Sequence, residues 1–399
     1  MNSPRRPARA GPVGPTQQKC CGRALILKEV EASSRRPPGG RLVRILHLNN
    51  EKTWRGGERQ TFLLAETLEQ LGVANCIACR PGALLWQHAA GRGMRVTPLS
   101  GNTVRAALQL IGTAPRFDLL HCHTARSHSL AAAVGCLLRR PMIVTRRVDF
   151  EPPHTWFNRY KYARAAKVVC VCEYITRQLA DWGVERNKLT TISSAIPMPH
   201  NDGPDPTALR RELDLPLNRP VIGNIAALVG HKDQATLLRA ARSLADRRPD
   251  VLFVVMGEGD LRDALVRQQR ELRLEEIVQF RGFVPQAQRF MRAFDVFAMS
   301  SCMEGRGGIV LDAFAARVPV VSTAAGGLPE LVHDGETGLL VPVHDGNALA
   351  QAILRLLDDR PLAGRVTANA RALLEREFVV GRMAERYLTV YREVLKKRE

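Results

Sequence analysis

Between positions 300 and 341 the chain concentrates residue types able to hold a phosphorylated, hydroxyl-rich ligand. Glu304 is followed by Gly305, Arg306, Gly307, Gly308 and Ile309, and Asp312 comes eight positions after Glu304. Gly326-Gly327-Leu328-Pro329-Glu330 and Asp334-Gly335-Glu336-Thr337-Gly338 complete the stretch. It reads as strand, glycine loop, helix, short strand and second glycine loop. Glycines ahead of a helix leave its first N–H groups uncovered, and with the helix dipole these favour a phosphate-like anion. The two carboxylates, one at the loop and one down the helix, suit vicinal hydroxyls. Ionised carboxylates only accept hydrogen bonds, and sugar hydroxyls donate them.

Positioning such groups takes alternating strands and helices, and the sequence supplies them twice. In the first half, residues 42–48 form a short apolar strand and Gly56-Gly57 a loop. Phe62, Leu63, Leu64, Leu68 and Leu71 then recur at helical spacing until Gly72. Strands over residues 73–79 and 94–98, helices near 83–90 and 103–111, and the phrase Asp118-Leu119-Leu120-His121 follow. A Pro-rich linker spans residues 196–206. Beyond it the pattern restarts, with strands over 220–227, 251–256, 277–280 and 296–299 and helices over 234–244 and 261–272. Such alternation predicts parallel sheets covered by helices on both faces. Ligands of open parallel sheets bind outside the carboxyl ends of the strands, so two facing sheets imply a cleft between lobes. The expected division is a disordered basic extension over residues 1–40, a Rossmann-like domain over 41–200, a second over 201–378 and a terminal segment over 379–399. There Met383, Tyr387, Val390, Tyr391 and Leu395 form one helical stripe, expected to pack rather than to bind a membrane.

Composition narrows the partners. Of 399 residues, 45% are hydrophobic, which allows large cores. No run approaches the roughly 20 apolar residues of a spanning helix, and the first forty residues lack the apolar core of a secretory signal. Nine cysteines lie in apolar runs such as Val168-Val169-Cys170-Val171-Cys172 and read as buried reduced thiols, consistent with a cytoplasmic protein. Strand geometry turns Cys76 and Cys79 to opposite faces, against a redox pair. The net charge of +19 is uneven. Residues 1–40 hold eight Lys/Arg and two acids, residues 41–200 hold 22 and 10, and residues 201–399 hold 28 and 27. A basic first half facing a neutral second half points to an anionic partner: an anionic membrane surface, an acidic glycan or nucleic acid. No aromatic-rich basic platform or groove-reading motif supports nucleic acid.

Taken together, the motifs resemble the family-four retaining glycosyltransferases. That resemblance implies the GT-B fold: two Rossmann-like α/β domains facing each other across a cleft, with a C-terminal helix crossing back to the first. The family carries Glu, seven residues, Glu, then a small-Gly-Leu-Pro-Val run and Gly-Gly-x-x-Glu. The resemblance covers about residues 42–395, and Gly257-Glu258-Gly259, Val278-Gln279-Phe280-Arg281-Gly282-Phe283 and Phe294-Asp295-Val296-Phe297 occur in family order. By this resemblance Glu304 contacts the donor sugar near its reacting face. Asp312 stands where a longer Glu usually holds the ribose hydroxyls. Lys232 matches a lysine that neutralises the diphosphate, while Ala227 replaces the arginine five positions before it, and Arg306 or His231 is expected to compensate. Gly257, Gly307, Gly308 and Ile309 complete the donor site, with Gly56 and Gly57 facing the departing diphosphate. His123 matches a histidine that reaches the donor sugar, whereas His121 is assigned to packing. Arg146 and Arg147 fall where acceptors bind, and two arginines at a strand end suit a phosphate or carboxylated sugar. Glu173 is expected at a helix start, against the dipole.

The implied activity is transfer of a sugar from a nucleotide diphosphate sugar to a lipid-linked or cell-envelope glycan, such as a lipopolysaccharide-type acceptor, with retention. The hexosyltransferase would use no cofactor, the nucleotide sugar being a co-substrate. No Asp-x-Asp sequence stands at a strand end, so no metal is expected, and Lys232 with helix N-termini would carry the electrostatic load. Expected partners are the nucleotide sugar, a glycan or glycolipid acceptor and an anionic inner-membrane surface, with no nucleic acid. The expected location is the cytoplasm, peripheral on the inner face of the plasma membrane. Two alternatives stand beside this: an epimerase or hydrolase of the same fold, and a non-catalytic glycan- or nucleotide-binding protein.

Overall fold

The structure, a computed structural model, describes residues 43–198 and 203–396. The extension expected over residues 1–40 lies outside them. The first lobe holds strands β1 (Arg44–Leu48), β2 (Ala74–Cys79), β3 (Val96–Pro98), β4 (Leu119–Cys122), β5 (Met142–Arg146), β6 (Lys167–Cys170) and β7 (Leu189–Thr191). Helices α1 (Gly56–Gln70), α2 (Leu84–Gly91), α3 (Thr103–Thr113), α4 (Ala125–Leu138), α5 (Trp156–Arg164) and α6 (Glu173–Trp182) connect them. The second lobe begins with α7 (Pro206–Glu212) and contains β8 (Val221–Ile225), β9 (Leu252–Met256), β10 (Val278–Gly282), β11 (Val296–Met299), β12 (Val320–Thr323) and β13 (Leu339–Val341). Its helices are α8 (Gln234–Ala245), α9 (Arg262–Glu271), α10 (Gly308–Ala315), α11 (Gly346–Asp358) and α12 (Arg360–Glu377), and α13 (Val380–Lys396) ends the described chain.

Both sheets are parallel throughout, in the orders β3-β2-β1-β4-β5-β6-β7 and β10-β9-β8-β11-β12-β13. Strand order reverses between β1 and β4 in the first and between β8 and β11 in the second. Loops leaving these neighbouring strands diverge to opposite faces and open a crevice at their carboxyl ends. Buried strands alternate between two apolar cores. Leu252, Val254 and Met256 of β9 join one cluster, while Phe253 and Val255 join the other. In β2, Cys76 and Cys79 fall into different clusters, and burial pushes their thiols up to about 11 and about 12.

The expected first strand forms from Arg44 onward, and residues 94–95 stay outside β3. Helices α11 and α12 were not read from the sequence at all. The last helix buries Met383, Ala384, Tyr387, Val390, Tyr391 and Val394 against Ile45, Leu64, Leu68, Leu119, Ile143 and Val169 of the first lobe. It is led there by a bridge from Ile196 to Val379. Burying an apolar side chain of this size stabilises a fold by about 1.5–3 kcal/mol, so the packed stripe is a firm attachment. No helix among the described residues is long and apolar enough to cross a membrane.

Candidate functional site

On one face of the first sheet, side chains change character in tiers along the strands. Period-two alternation places Ile45, Leu119 and Ile143 in the apolar core. Two residues further on, His47, His121 and Thr145 form a buried polar tier, with His47 in register opposite His121. Another two residues bring Asn49, His123 and Arg147 to the carboxyl ends. The polar tier is closed from behind by the last helix. His121 Nδ1 lies 2.8 Å from the Tyr391 hydroxyl, His121 Nε2 lies 2.7 Å from Thr145 Oγ1, and Thr145 Oγ1 lies 3.0 Å from the Tyr387 hydroxyl.

Parity also separates the two arginines expected at the acceptor side. Arg147 turns toward His123, with Nη2 3.5 Å from Nδ1, and its stem runs beside Gly57 at the start of α1. Arg146 points to the opposite face. It donates to the Val148 and Phe150 carbonyls, approaches the Tyr162 hydroxyl and lies over the Phe150 ring. It therefore shapes the loop after β5, and the two arginines expected at the acceptor side are not presented side by side.

His47 Nδ1 lies 3.0 Å from His123 Nε2. With the Arg147 guanidinium donating to His123 Nδ1, the proton of His123 sits on Nε2 and is donated to His47 Nδ1. His47 then keeps its own proton on Nε2, a buried atom without a hydrogen-bond partner. Burial pushes His47 down to about 3 and holds His121 and His123 well below the usual imidazole range, with further lowering of His123 by its neighbouring histidines and Arg147. Burial likewise lowers Arg147 and raises Glu58, whose Oε2 accepts from the Arg55 backbone N–H ahead of α1.

The three histidines offer nitrogens within 4.8 Å of one another, the arrangement of a metal site. Their surroundings do not fit one. His121 has both nitrogens engaged by hydroxyls, and a cation would stand against the Arg147 guanidinium. His47 and His123 form one hydrogen-bonded pair, and His121 bonds separately to Thr145 and Tyr391.

In the second lobe the loops after β8 and β11 are tied together. Ser300 Oγ donates to the Lys232 carbonyl at 3.0 Å, and the Cys302 N–H donates to the His231 carbonyl at 3.0 Å. These bonds bring Lys232 Nζ onto the Glu304 carboxylate. Glu304 Oε1 also accepts from the Gly307 N–H at 3.2 Å. Gly307 has φ 68°, a left-handed conformation that glycine adopts without Cβ strain, and α10 starts immediately after it. A cation, an anion and the start of a helix thus meet at the switch point of the second sheet. Gly257 follows β9 at the same edge beside Ala226, and Ile309 packs against the core. The Ala227 carbonyl accepts from Gln234 Nε2 and from the Val229 N–H, both at 3.0 Å.

Arg306 does not replace the missing cation. It is 6% exposed, its Nη1 lies 2.9 Å from Glu330 Oε2, and its guanidinium stacks on Phe378. Glu330 in turn accepts from the Glu173 and Tyr174 N–H groups at 3.0 and 2.8 Å, capping α6 across the lobe boundary. Glu173 does begin a helix, and its amide is satisfied by a carboxylate from the other lobe. Nearby, Cys172 Sγ contacts the Gly305 carbonyl at 2.8 Å, and a Cβ on Gly305 would strike the Arg147 carbonyl. The lobes therefore touch through backbone at Gly305, next to Glu304.

Sequence reasoning also missed Arg59. Its Nη1 and Nη2 lie 2.7 and 2.9 Å from the two oxygens of Asp312, a bidentate pair across the cleft. The 253-residue separation hid it, since no motif links a helix-surface arginine to a distant acid.

Residues 54–198 match the family described as Glycosyltransferase Family 4, and residues 205–373 match Glycosyl transferases group 1. The lipopolysaccharide core biosynthesis glycosyltransferase LpsE of Rhizobium meliloti is 30% identical over 221 residues, 55% of this chain and 62% of that protein. A D-inositol 3-phosphate glycosyltransferase of Corynebacterium aurimucosum is 36% identical over 160 residues, 38% of each chain. The matched stretches thus span less than two thirds of these relatives. The fold is that of the Anabaena protein Alr3699/HepE, solved in complex with UDP, at a TM-score of 0.78 and 21% identity over 88% of this chain and 100% of that one. Two family matches in tandem, on the two facing parallel-sheet lobes of a GT-B architecture, place the chain in the family-four glycosyltransferases.

Proposed function

We propose that this protein transfers a hexosyl group from a nucleotide diphosphate sugar to a lipid-linked or cell-envelope glycan, with retention and without a resident metal. The observation that carries the reading is the group formed by Lys232, Glu304 and the Gly307–Gly308 amides at the carboxyl edge of the second sheet. An anion entering there meets a lysine and the start of a helix. Charge developing on the departing diphosphate is what such fixed donors stabilise best. Across the gap, α1 begins at Gly56, Gly57 lies against Arg147, and His123 stands behind it. Glu304 faces the donor sugar in this reading, and Asp312 takes the ribose hydroxyls. Closure of the lobes over the donor excludes water and suppresses its hydrolysis. Retention follows from attack on the face that the leaving group departs, as family membership implies.

The acceptor is argued from this chain's own surface, because the two relatives named above differ in what they glycosylate. Residues 41–200 carry 22 Lys/Arg against 10 acids. On that lobe, Trp156 is 78% exposed at the start of α5, with Arg159 and Arg164 exposed along the same helix and Phe150 exposed just before it. Aromatic and basic groups together suit an anionic membrane interface, where a lipid-linked acceptor would be presented at the cytoplasmic face. The test is transfer itself. Labelled nucleotide sugars are incubated with membrane lipid extract in EDTA, and the product's anomeric configuration is read by NMR. Acceptor-dependent release of nucleoside diphosphate with a retained anomer supports the reading. Donor turnover that ignores the acceptor would point to hydrolysis or epimerisation.

A further inference from the structure

Resting on the donor reading above, we propose that Arg59 is a ligand of the donor diphosphate, exchanged from Asp312 to phosphate when the nucleotide arrives. The pair is a fork on a fork: two guanidinium N–H groups donate to the two oxygens of one carboxylate. Asp312 is nearly buried, with 9% of its side chain exposed, against 26% for Arg59. An ionised carboxylate has only acceptor sites to offer, and a vicinal diol needs the same two oxygens as the guanidinium. Ribose and Arg59 therefore compete for Asp312.

Displaced Arg59 keeps its charge, because a guanidinium does not deprotonate in a protein. A partly buried cation without an anion is costly, so it must find one. Asp312 lies on α10 one turn from Gly308, where the amides begin, so the released guanidinium stands a side chain's reach from that helix start. A diphosphate held there brings more than one negative charge. On the protein side, Lys232 is already paired with Glu304, Arg306 is committed to Glu330, and position 227 carries no charge. Arg59 is the cation that the first lobe sends across the cleft to the same place. Its movement from carboxylate to phosphate would couple nucleotide binding to lobe closure, since α1 belongs to one lobe and α10 to the other.

Calorimetry with UDP, GDP and ADP, each against its own nucleoside, tests the exchange on the full chain. For the nucleotide that binds, Arg59→Gln is expected to weaken the diphosphate about tenfold or more, the worth of a charge-assisted contact, while nucleoside affinity holds or rises. Arg59→Lys should recover most of the diphosphate affinity. Parallel tightening of nucleotide and nucleoside in Arg59→Gln would make Arg59 a mere plug, and no change in either would make it a strut; both overturn the proposal. Should Arg59→Gln fold poorly, Asp312→Asn reads the same exchange with inorganic pyrophosphate. Release of Arg59 should tighten pyrophosphate at least threefold, and an unchanged affinity overturns the proposal. Absence of binding by all three nucleotides to the unaltered protein removes the donor reading and this one together, whereas normal binding that ignores Arg59 removes this one alone.

Discussion

His47 Nδ1 lies 3.0 Å from His123 Nε2, just past the end of the neighbouring strand, and both rings are buried. The contact orders the protons of the chain from Arg147 to His47, so the ring nearest the cleft has a defined tautomer. Replacing His47 by Phe keeps a ring in the tier and leaves the His123 Nε2–H without its acceptor. An unsatisfied buried donor costs about 1–3 kcal/mol, which a denaturant midpoint would register. We expect kcat to fall about tenfold with donor KM changed less than about twofold, because His47 acts on the orientation of His123 and does not touch substrate.

Acid should unfold this protein early. His47, His121, His123 and His128 are all buried and lowered by burial, His47 and His128 to about 3. In the unfolded chain each binds a proton near pH 6.5, while in the folded state it remains neutral. The unfolded state thus binds more protons below that value, and stability falls as pH falls through it. Each group therefore contributes a loss that grows as pH falls below 6.5, on the linkage between proton uptake and unfolding. Melting temperature measured from pH 8 to pH 5 should be flat at the upper end and drop steeply below about 6.5.

Arg306 belongs to the joint between the lobes and not to the donor. Its removal leaves Glu330 partly buried with one fewer partner, and Glu330 caps α6. Loss of a charge-assisted partner at a partly buried carboxylate that keeps two amide donors costs about 1.5–3 kcal/mol. Arg306→Ala should therefore lower the unfolding midpoint markedly, while the folded fraction binds nucleotide with unchanged affinity by calorimetry. A loss of affinity with stability intact would return Arg306 to the donor site.

Gly305 is where the lobes meet through backbone. A methyl group there would collide with the Arg147 carbonyl. In Gly305→Ala the lobes should part slightly, visible as a larger radius of gyration by small-angle scattering. Crowding of this kind costs about 1–3 kcal/mol, and activity should fall further than stability because Glu304 is the next residue.

The parts legible in the sequence were those whose signal is local. The buried runs at Val221–Ile225 and Leu252–Met256 are short, apolar and bounded by turn residues, and the structure has strands there. The glycines ahead of α10 announced an uncovered helix start. Asp312 was legible as a motif position, whereas its partner Arg59 was not. The period-two rule that separates Arg146 from Arg147 was available from the sequence, but two adjacent arginines at a strand end were read as one patch. The three-histidine cluster depends on the register of β1 against β4, which no local pattern specifies. Arg306 misled because its motif neighbours Glu304 and Gly307 serve the cleft, while its own side chain runs back to Glu330 and Phe378.

The direct test of the whole account is isothermal titration of the folded protein, in EDTA, with uridine-, guanosine- and adenosine-diphosphate sugars. One nucleotide class should give saturable heat at a single site, weakened at least about tenfold by Lys232→Ala, the worth of a charge-assisted contact to phosphate. No heat from any class with a well-folded sample, or heat indifferent to both Lys232→Ala and Glu304→Ala, would contradict it.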